Sequence, residues 1–487
     1  MGINYKVLRV RHMEFLSKNK NIILNTLLLL TYCALTIFCT MHHEIWRDEA
    51  QVWVVVRDLN LFGIIDHVRI EGHPLLWYFI VMLPAKLKLP VFSMQVLSLG
   101  FMACAAGLFL YRSPFNIVTK ACVLFSAGFL YWLSVISRSY SLVALFLFVL
   151  AMLYPVQRKR PFLYAVVLGL LSQTHVLMSG FCAGMCALFL YDNIIKNKET
   201  PKKYIAPFLV CFLPLLLLTI YIFSNPHDNV SVQNYMLKTD TGLFKSFISV
   251  LVNTYMFMTN IKGLFVTLLI VASFSGIFVE NKKIFCVYLF SMLYQLVVYT
   301  YIWSCAPEKA ALFFAVTVFC WWVVLDCRPQ NELSKTKKIL YNILLAVIFG
   351  MSVNVGFMLL KNDIRYDYSS SQKTAEFIEK NIEKDAVLVT FDPVFTSGIS
   401  AYLKNGQKFY YPDTGEYYTF SYDGRANTHV SAQEQTEFYK LHKNIYYIQN
   451  WLSPSQVPVF AAEETTLIPT EKFYICLLYT SPSPRDP

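Results

Sequence analysis

Apolar residues along this chain fall into long blocks, which short basic or aromatic-rich segments separate. Most blocks have roughly 16–22 residues, the length that an α-helix needs to cross about 30 Å of hydrocarbon. The first predicted span is Ile22–Met41. The others are residues 74–90, 92–111, 117–136, 139–156, 162–174, 176–191, 204–223, 263–279, 284–303, 309–326 and 339–360. The pattern predicts a mostly α, polytopic membrane helix bundle.

Basic residues cluster between alternate blocks, with more than twice as many Lys and Arg on one side as on the other. By the positive-inside rule the N-terminus is cytoplasmic, Ile22–Met41 is a retained signal anchor, and residues after 360 are outside. A chain with a cytoplasmic N-terminus and an outer C-terminal domain crosses the membrane an odd number of times, whereas the sequence has twelve apolar blocks. Eleven and thirteen transmembrane helices both stay open, because Pro84, Lys86 and Lys88 interrupt one of the blocks within 74–136.

After Lys361 the chain becomes polar and alternates between two kinds of element. Helices are predicted over Gln372–Glu383 and Phe395–Leu403, and strands over Ala386–Phe391 and Ile445–Ile448. This alternation predicts a small extracytoplasmic α/β domain. The predicted domains are a cytoplasmic N-terminus (1–21), a transmembrane domain (22–360) with a first outer loop (42–73), the α/β domain (361–475), and a final segment (476–487) that resembles a translated sequencing adapter.

Composition excludes several classes of protein. The 487 residues are 56% hydrophobic and 15% charged, whereas soluble domains carry about 25% charge. The net charge of +11 sits between apolar blocks, as orientation signals do, so we expect no nucleic-acid partner. Most of the 12 cysteines lie inside the blocks without metal-ligand spacing, so neither a disulfide framework nor a metal site is predicted. The sequence requires no cofactor, and a need for a divalent cation stays open.

The first outer loop is dense in ionisable residues. Arg47, Asp48 and Glu49 follow the first span, and Glu71-Gly72-His73-Pro74 opens the next apolar stretch. A carboxylate beside hydrocarbon is costly unless it is paired or faces water, so this density indicates a site. A simpler interpretation is that Asp48 and Glu49 are solvated charges balanced by Arg47.

This combination resembles the first-loop signature of the GT-C superfamily of lipid-linked-sugar glycosyltransferases. The similarity is greatest to the RgtA/B/C/D-like branch, which is related to protein O-mannosyltransferases and lipid A aminoarabinose transferases. Those families share an acidic pair after the first span and a His-Pro-Pro-Leu-like segment, which is His-Pro-Leu-Leu here. The resemblance covers residues 15–360 in architecture and is specific mainly across 44–78.

Four later residues are compared with the same superfamily. Arg138 and Tyr140 resemble its Arg-x-Tyr element, although Arg138 also fits an arginine that reaches to the headgroups at a turn. His175 lies at the predicted outer tip of a hairpin and fits a structural histidine as well as a binding one. Lys309 follows Pro307-Glu308, where relatives often have Arg-His, and is a candidate phosphate ligand.

The resemblance implies transfer of a sugar from a polyprenyl-phosphate donor to an envelope acceptor (glycan, lipid or protein) at the outer membrane face, with inversion. Asp48 is the candidate base and Glu49 its helper. Arg47, Glu71, His73, Arg138, Tyr140, His175 and Lys309 are the candidate substrate-binding residues. Alternatives are a transporter or flippase of lipid-linked glycans, or a polymerase or ligase of the outer leaflet. The implied partners are the donor, membrane lipids and the acceptor.

Overall fold

The computed structural model describes residues 5–478, except 199, 224–242, 260–263, 302–304, 327–332, 392, 421–429, 443, 454–455 and 463–465. The predicted fold class is confirmed: the chain is mostly helical and ends in a small region with a β-sheet. The described α-helices are Tyr5–Thr40, Arg47–Asp58, Leu61–Glu71, Leu76–Lys86, Phe92–Arg112, Ile117–Leu124, Tyr140–Leu153, Pro161–Ser172, Ser179–Leu190, Pro201–Pro207, Leu213–Phe223, Leu243–Thr259, Leu264–Glu280, Lys282–Tyr301, Pro307–Asp326, Lys335–Arg365, Ser371–Asn381, Pro393–Tyr402 and Ala432–Leu441.

The membrane-spanning character of the chain rests on long apolar helices. Within the described ranges, seven helical segments are long and apolar enough to cross a membrane, and five more are apolar but shorter. The seven are Lys20–Thr40, Phe92–Arg112, Val176–Lys196, Pro201–Ile222, Lys282–Tyr301, Pro307–Asp326 and Lys335–Arg365. The chain is therefore a multi-pass membrane protein, and its exact number of crossings stays a prediction.

Two segments differ from the predicted spans. The block 117–136 is divided into helix Ile117–Leu124 and a short π-helical turn, Gly128–Trp132. Helix Leu243–Thr259 lies within residues 224–262, a predicted loop because it separates the predicted spans 204–223 and 263–279. It was missed because Lys245, Ser246, Ser249 and Asn253 interrupt its apolar residues, so no long block forms. The rest of that predicted loop lies outside the described residues.

The chain packs into two compact units. The first, which we call the helical unit, comprises Met1–Phe38, Ser98–Leu218 and Leu237–Leu359. Helix Pro307–Asp326 is buried along nearly its whole length and packs against Tyr140–Leu153 and Lys282–Tyr301. Gly180 permits another close approach, because a Cβ there would lie 2.6 Å from the side chain of Tyr294. Close packing of this kind stabilises helix pairs in lipid, where burial of apolar surface contributes little.

The second unit, the mixed unit, comprises Cys39–Leu97, Thr219–Met236 and Leu360–Pro487. Its described strands are β1 (Val387–Thr390), β2 (Phe409–Tyr411), β3 (Glu416–Tyr418), β4 (Ile445–Gln449), β5 (Phe460–Ala461) and β6 (Tyr474–Leu478). They form one sheet in the order β3-β2-β1-β4-β6-β5, with β1 parallel to β2 and β4 and the other pairs antiparallel. Helices Ser371–Asn381 and Pro393–Tyr402 contribute Ile378 and Ile399 to a core with Leu388, Ile448 and Ile475.

The helices and strands predicted after Lys361 are all present, and each observed end lies within two residues of the predicted one. Of the final segment, 476–487, which was predicted to resemble an adapter, the structure describes only the first three residues. Cys476, Leu477 and Leu478 belong to β6 and pair with β4. Residues 479–487 lie outside the described part of the chain.

Candidate functional site

Residues 42–73, predicted as the first outer loop, form two helices in the mixed unit. The first, Arg47–Asp58, is called the loop helix below, and it carries Asp48 and Glu49 in its first turn. Carboxylates are favoured there, because the unpaired N–H groups and the helix dipole make that end positive. Val52–Val56 are buried, and the helix packs against Pro393–Tyr402 and Leu76–Lys86. The start of the loop helix is therefore held on a packed scaffold.

The two adjacent carboxylates occupy opposite environments. The Asp48 side chain is 35% exposed, and its Oδ1 lies 3.4 Å from Arg47 Nε. Glu49 is fully buried. Successive helical residues point about 100° apart, so a neighbouring pair on a half-buried helix separates in this way. Only Asp48 of the two is accessible to a substrate within this unit.

Arg47 is held from several sides. Its guanidinium lies 4.7 Å from the centre of the Phe395 ring, and its backbone N–H donates to Glu471 Oε1 at 3.0 Å. Burial raises the pKa of the Glu471 carboxyl to about 7, although contacts with Ser369 and with the Arg47 amide act in the opposite direction. Arg47 is thus a fixed cation beside Asp48.

Glu49 belongs to a buried cluster that we call the His43 triad. His43 Nε2 lies 3.0 Å from Glu49 Oε2, and His43 Nδ1 lies 2.8 Å from Asp363 Oδ2. All three side chains are fully buried. Burial alone would lower the pKa of His43, but the two carboxylates outweigh it and raise the pKa to about 10. His43 is therefore an imidazolium at neutral pH that donates to a carboxylate from each ring nitrogen.

Glu71 is the centre of a second polar cluster, the Glu71 network. Its Oε1 accepts from Gln51 Nε2 at 2.7 Å and lies 2.8 Å from His67 Nε2, while Tyr78 O–H donates to Oε2. Burial alone would raise the pKa of Glu71, but His67, His73 and Tyr78 together lower it to about 2. Glu71 is therefore ionised at every physiological pH.

His73 is placed by the end of helix Leu61–Glu71. Gly72 has the left-handed conformation (φ 66°) that terminates the helix, and its N–H donates to Val68 O at 2.9 Å. A glycine suits that position because a Cβ would be strained there. The turn brings His73 next to Glu71 in space, and its charge contributes to the lowered pKa of Glu71.

Three of the predicted residues lie together in the helical unit. The Arg138 guanidinium is 5.6 Å from the centre of the Tyr140 ring, and that ring is 5.7 Å from the His175 ring. His175 Nδ1 accepts from the Leu177 N–H at 3.2 Å, so a neutral His175 carries its proton on Nε2. Lys309 is in the first turn of Pro307–Asp326, where its carbonyl accepts from Tyr299 O–H.

Several polar residues were not singled out from the sequence. Four of them contact a predicted site residue directly: His43, Gln51, His67 and Glu471. A fifth, Asp363, pairs with His43. The His42-His43-Glu44 run was a visible signal, whereas Asp363 and Glu471 are distant in sequence. Across the described ranges, no group of three His, Cys, Asp or Glu residues is arranged to hold a metal ion.

Comparison with solved structures identifies the fold of the chain. No protein-family model matches the chain, and no curated protein matches it. The structure is similar to the crystal structure of ArnT from Cupriavidus metallidurans bound to undecaprenyl phosphate, with a TM-score of 0.55, 12% identity, and coverage of 94% of this chain and 97% of that one. The apo structure of the same ArnT gives a TM-score of 0.54 and 11% identity, with coverage of 95% and 98%. The chain therefore has the GT-C-like membrane fold of ArnT, which confirms the fold that the first-loop resemblance implied.

Proposed function

We propose that this protein is a membrane glycosyltransferase that transfers a sugar from a polyprenyl-phosphate donor to a cell-envelope acceptor. The observation that carries the proposal is the environment of Asp48. It is an accessible carboxylate in the first turn of a packed helix, beside the fixed cation Arg47. The likeness to ArnT, whose crystal structure holds undecaprenyl phosphate, supports the class of donor.

The chemistry requires one accessible base. Phosphate leaves as a stable anion, so no raised-pKa acid is required, in contrast to glycoside hydrolysis. The acceptor hydroxyl must lose a proton as it attacks the anomeric carbon. Asp48 accepts that proton, and the bond to the phosphate oxygen breaks as the new glycosidic bond forms, with inversion. Arg47 orients the Asp48 carboxylate.

Glu49 has a different role from Asp48 in this mechanism. Its carboxylate is occupied by the His43 imidazolium and is fully buried. It helps the base indirectly by fixing the first turn of the loop helix. Glu71 and His73 provide polar partners for sugar hydroxyls, and Gln51 and His67 hold the Glu71 carboxylate in place.

The donor phosphate requires cations. Arg138, supported by its contact with Tyr140, is the proposed phosphate ligand, because a guanidinium binds phosphate through two parallel N–H donors. His175 offers Nε2–H as a neutral donor to the same class of ligand, and Lys309 offers a second charge. Polyprenyl chains and membrane lipids are the remaining partners, and a divalent cation is not required by these roles.

The defining experiment incubates the purified protein with a panel of polyprenyl-phosphate sugars and a crude envelope acceptor fraction. Release of free polyprenyl phosphate that depends on one sugar identifies the donor. A transporter or flippase would move the lipid-linked sugar across vesicles and leave it chemically intact. A polymerase would instead release polyprenyl diphosphate and lengthen the lipid-linked glycan.

Arg138→Gln should weaken donor binding by roughly 10–100-fold, because a hydrogen bond between charged groups contributes about 1.5–3 kcal/mol. The expected change is in the KM for the donor, with the acceptor KM unaffected. Arg158→Gln, in the predicted cytoplasmic loop, is the control and should leave both constants unchanged. An unchanged donor KM for Arg138→Gln would assign the phosphate to other residues.

Orientation is proposed from the basic loops: the N-terminus is cytoplasmic and residues after 360 are extracytoplasmic, at the plasma (inner) membrane. Gln433→Cys places a thiol on an exposed helix of the mixed unit. An impermeant maleimide should label it in intact cells, above the background of the parent chain. Lys159→Cys, in a basic loop, should be labelled only after lysis. The reverse result would invert the topology.

A further inference from the structure

We propose that the mixed unit carries a second ligand site, a groove that binds an anionic saccharide segment of the acceptor. The groove has a volume of about 680 Å³, within the roughly 300–1,000 Å³ of small-molecule sites. It lies between the C-terminal end of the loop helix, the turn around Gly406 and strand β3. This inference rests on the proposed function, because it names the class of acceptor.

The groove has an excess of positive charge. Arg57, Lys404 and Lys408 line it together with a single carboxylate, Asp58. Burial alone would raise the pKa of Asp58, but contacts with Arg57 and Thr419 and the charge of Lys408 lower it. Asp58 is therefore ionised and pairs with Arg57 at 2.7 Å. The two exposed lysines are in no ion pair with another described residue, and they remain to attract an anion.

The rest of the lining suits a sugar. Tyr417, Tyr418 and Phe420 supply aromatic rings, and Thr419 and Gln407 supply polar groups. A sugar ring has an apolar C–H face and a rim of hydroxyls, so it matches a surface that combines rings with polar groups. Tyr417 lies on an edge strand and is 45% exposed, so the apolar surface of its ring is accessible to a ligand.

The framework of the groove is rigid. Arg57 Nη1 donates to Ser400 O at 2.8 Å, and Lys86 Nζ donates to the carbonyls of Arg57 and Leu59 at the end of the loop helix. Gly406 has a φ of 77°, which a glycine adopts without strain, and it opens the turn that carries Lys404 and Lys408. These contacts fix Arg57 and the end of the loop helix before a ligand arrives, which lowers the entropic cost of binding.

The position of the groove adds a length requirement. Asp48 is near one end of the loop helix and Asp58 is at the other, so the two lie about 15 Å apart along the helix axis. One monosaccharide cannot span that distance. An acceptor that reaches both ends must be an oligosaccharide, with its anionic groups held in the groove and its reactive hydroxyl several sugars away.

The test uses the full chain in detergent and isothermal titration calorimetry without any donor. The probes are tetragalacturonic acid, maltotetraose as a neutral tetrasaccharide, and inorganic phosphate. We expect binding of the acidic tetrasaccharide that weakens as salt is added. The double variant Lys404→Gln/Lys408→Gln should bind it about tenfold more weakly. Tyr417→Ala should also weaken it, and the control Lys440→Gln, on an exposed helix of the same unit, should not.

Each other outcome overturns a stated part of the inference. Equal binding of maltotetraose would remove the preference for anions, and phosphate binding as tightly as the tetrasaccharide would reduce the groove to an anion site. No binding, or binding that the lysine and tyrosine variants leave unchanged, would remove the site. The measurement involves no turnover, so a chain that releases polyprenyl phosphate and binds no probe keeps the proposed function and loses this inference.

Discussion

Asp48→Asn should lower turnover by roughly 10²–10⁴-fold, which is the usual contribution of a general base. Asparagine keeps the size and much of the hydrogen bonding of Asp48 but has no basic oxygen to accept the proton of the acceptor hydroxyl. The KM for the donor should change little, because cations hold the phosphate. The measurement is release of polyprenyl phosphate from the identified donor under saturating acceptor.

Two companion variants test whether the loss of turnover is specific to Asp48. Asp66→Asn makes the same chemical change at an exposed position on the next helix and should retain normal turnover. Glu49→Gln keeps the Asp48 carboxylate. The folded fraction of this variant should therefore lose far less activity than Asp48→Asn loses. Near-normal activity of Asp48→Asn would remove Asp48 from the mechanism, and Glu71 would be the next candidate base.

His43→Ala should destabilise the protein by about 3–5 kcal/mol, because it leaves two buried carboxylates without their cation. The side chains of Glu49 and Asp363 are fully buried, so the two carboxylates lose their charged partner without becoming exposed to bulk water. Thermal unfolding in detergent measures the loss. His42→Ala changes the exposed neighbouring histidine and should stay within about 0.5 kcal/mol of the parent.

The contribution of His43 should also depend on pH. Its pKa is raised from 6.5 to about 10 on folding, so its stabilisation is complete below about pH 6.5 and disappears as the pH rises through 10. The stability difference between the parent and His43→Ala should shrink over that window. Adding Glu49→Gln and Asp363→Asn to His43→Ala should recover part of the loss. Equal stability of parent and His43→Ala at pH 7 would mean that the triad is not ionised.

Much of the fold could be predicted from apolar periodicity. Uninterrupted blocks such as residues 92–111 and 309–326 became helices with nearly the predicted bounds, Phe92–Arg112 and Pro307–Asp326. Helix Leu243–Thr259 escaped because polar residues such as Lys245 and Ser249 interrupt its apolar run, so no long block forms. Strands such as Tyr474–Leu478 form through pairing with a partner that is distant in sequence, here Ile445–Gln449, which local sequence does not encode.

The candidate site was predictable only where its residues are close in sequence. Asp48, Glu49, Glu71 and His73 attracted attention because charge accumulates beside an apolar block. The separation of Asp48 from Glu49 into accessible and buried groups required the packing of the loop helix. The assignment of Glu49 to His43 also required Asp363, which pairs with the same histidine from 320 positions away.

That separation has a consequence for biosynthesis. His43 is made early, and its second carboxylate is made 320 residues later, which takes roughly 16–64 s at 5–20 residues per second. During that interval His43 lacks one of its two carboxylate partners, Asp363, while the intervening helices are inserted. We expect nascent chains that end before Asp363 to expose the loop helix to proteases and quality-control factors, and chains that extend through β6 to protect it. Stable folding of the loop helix thus depends on synthesis of helix Lys335–Arg365, which carries Asp363.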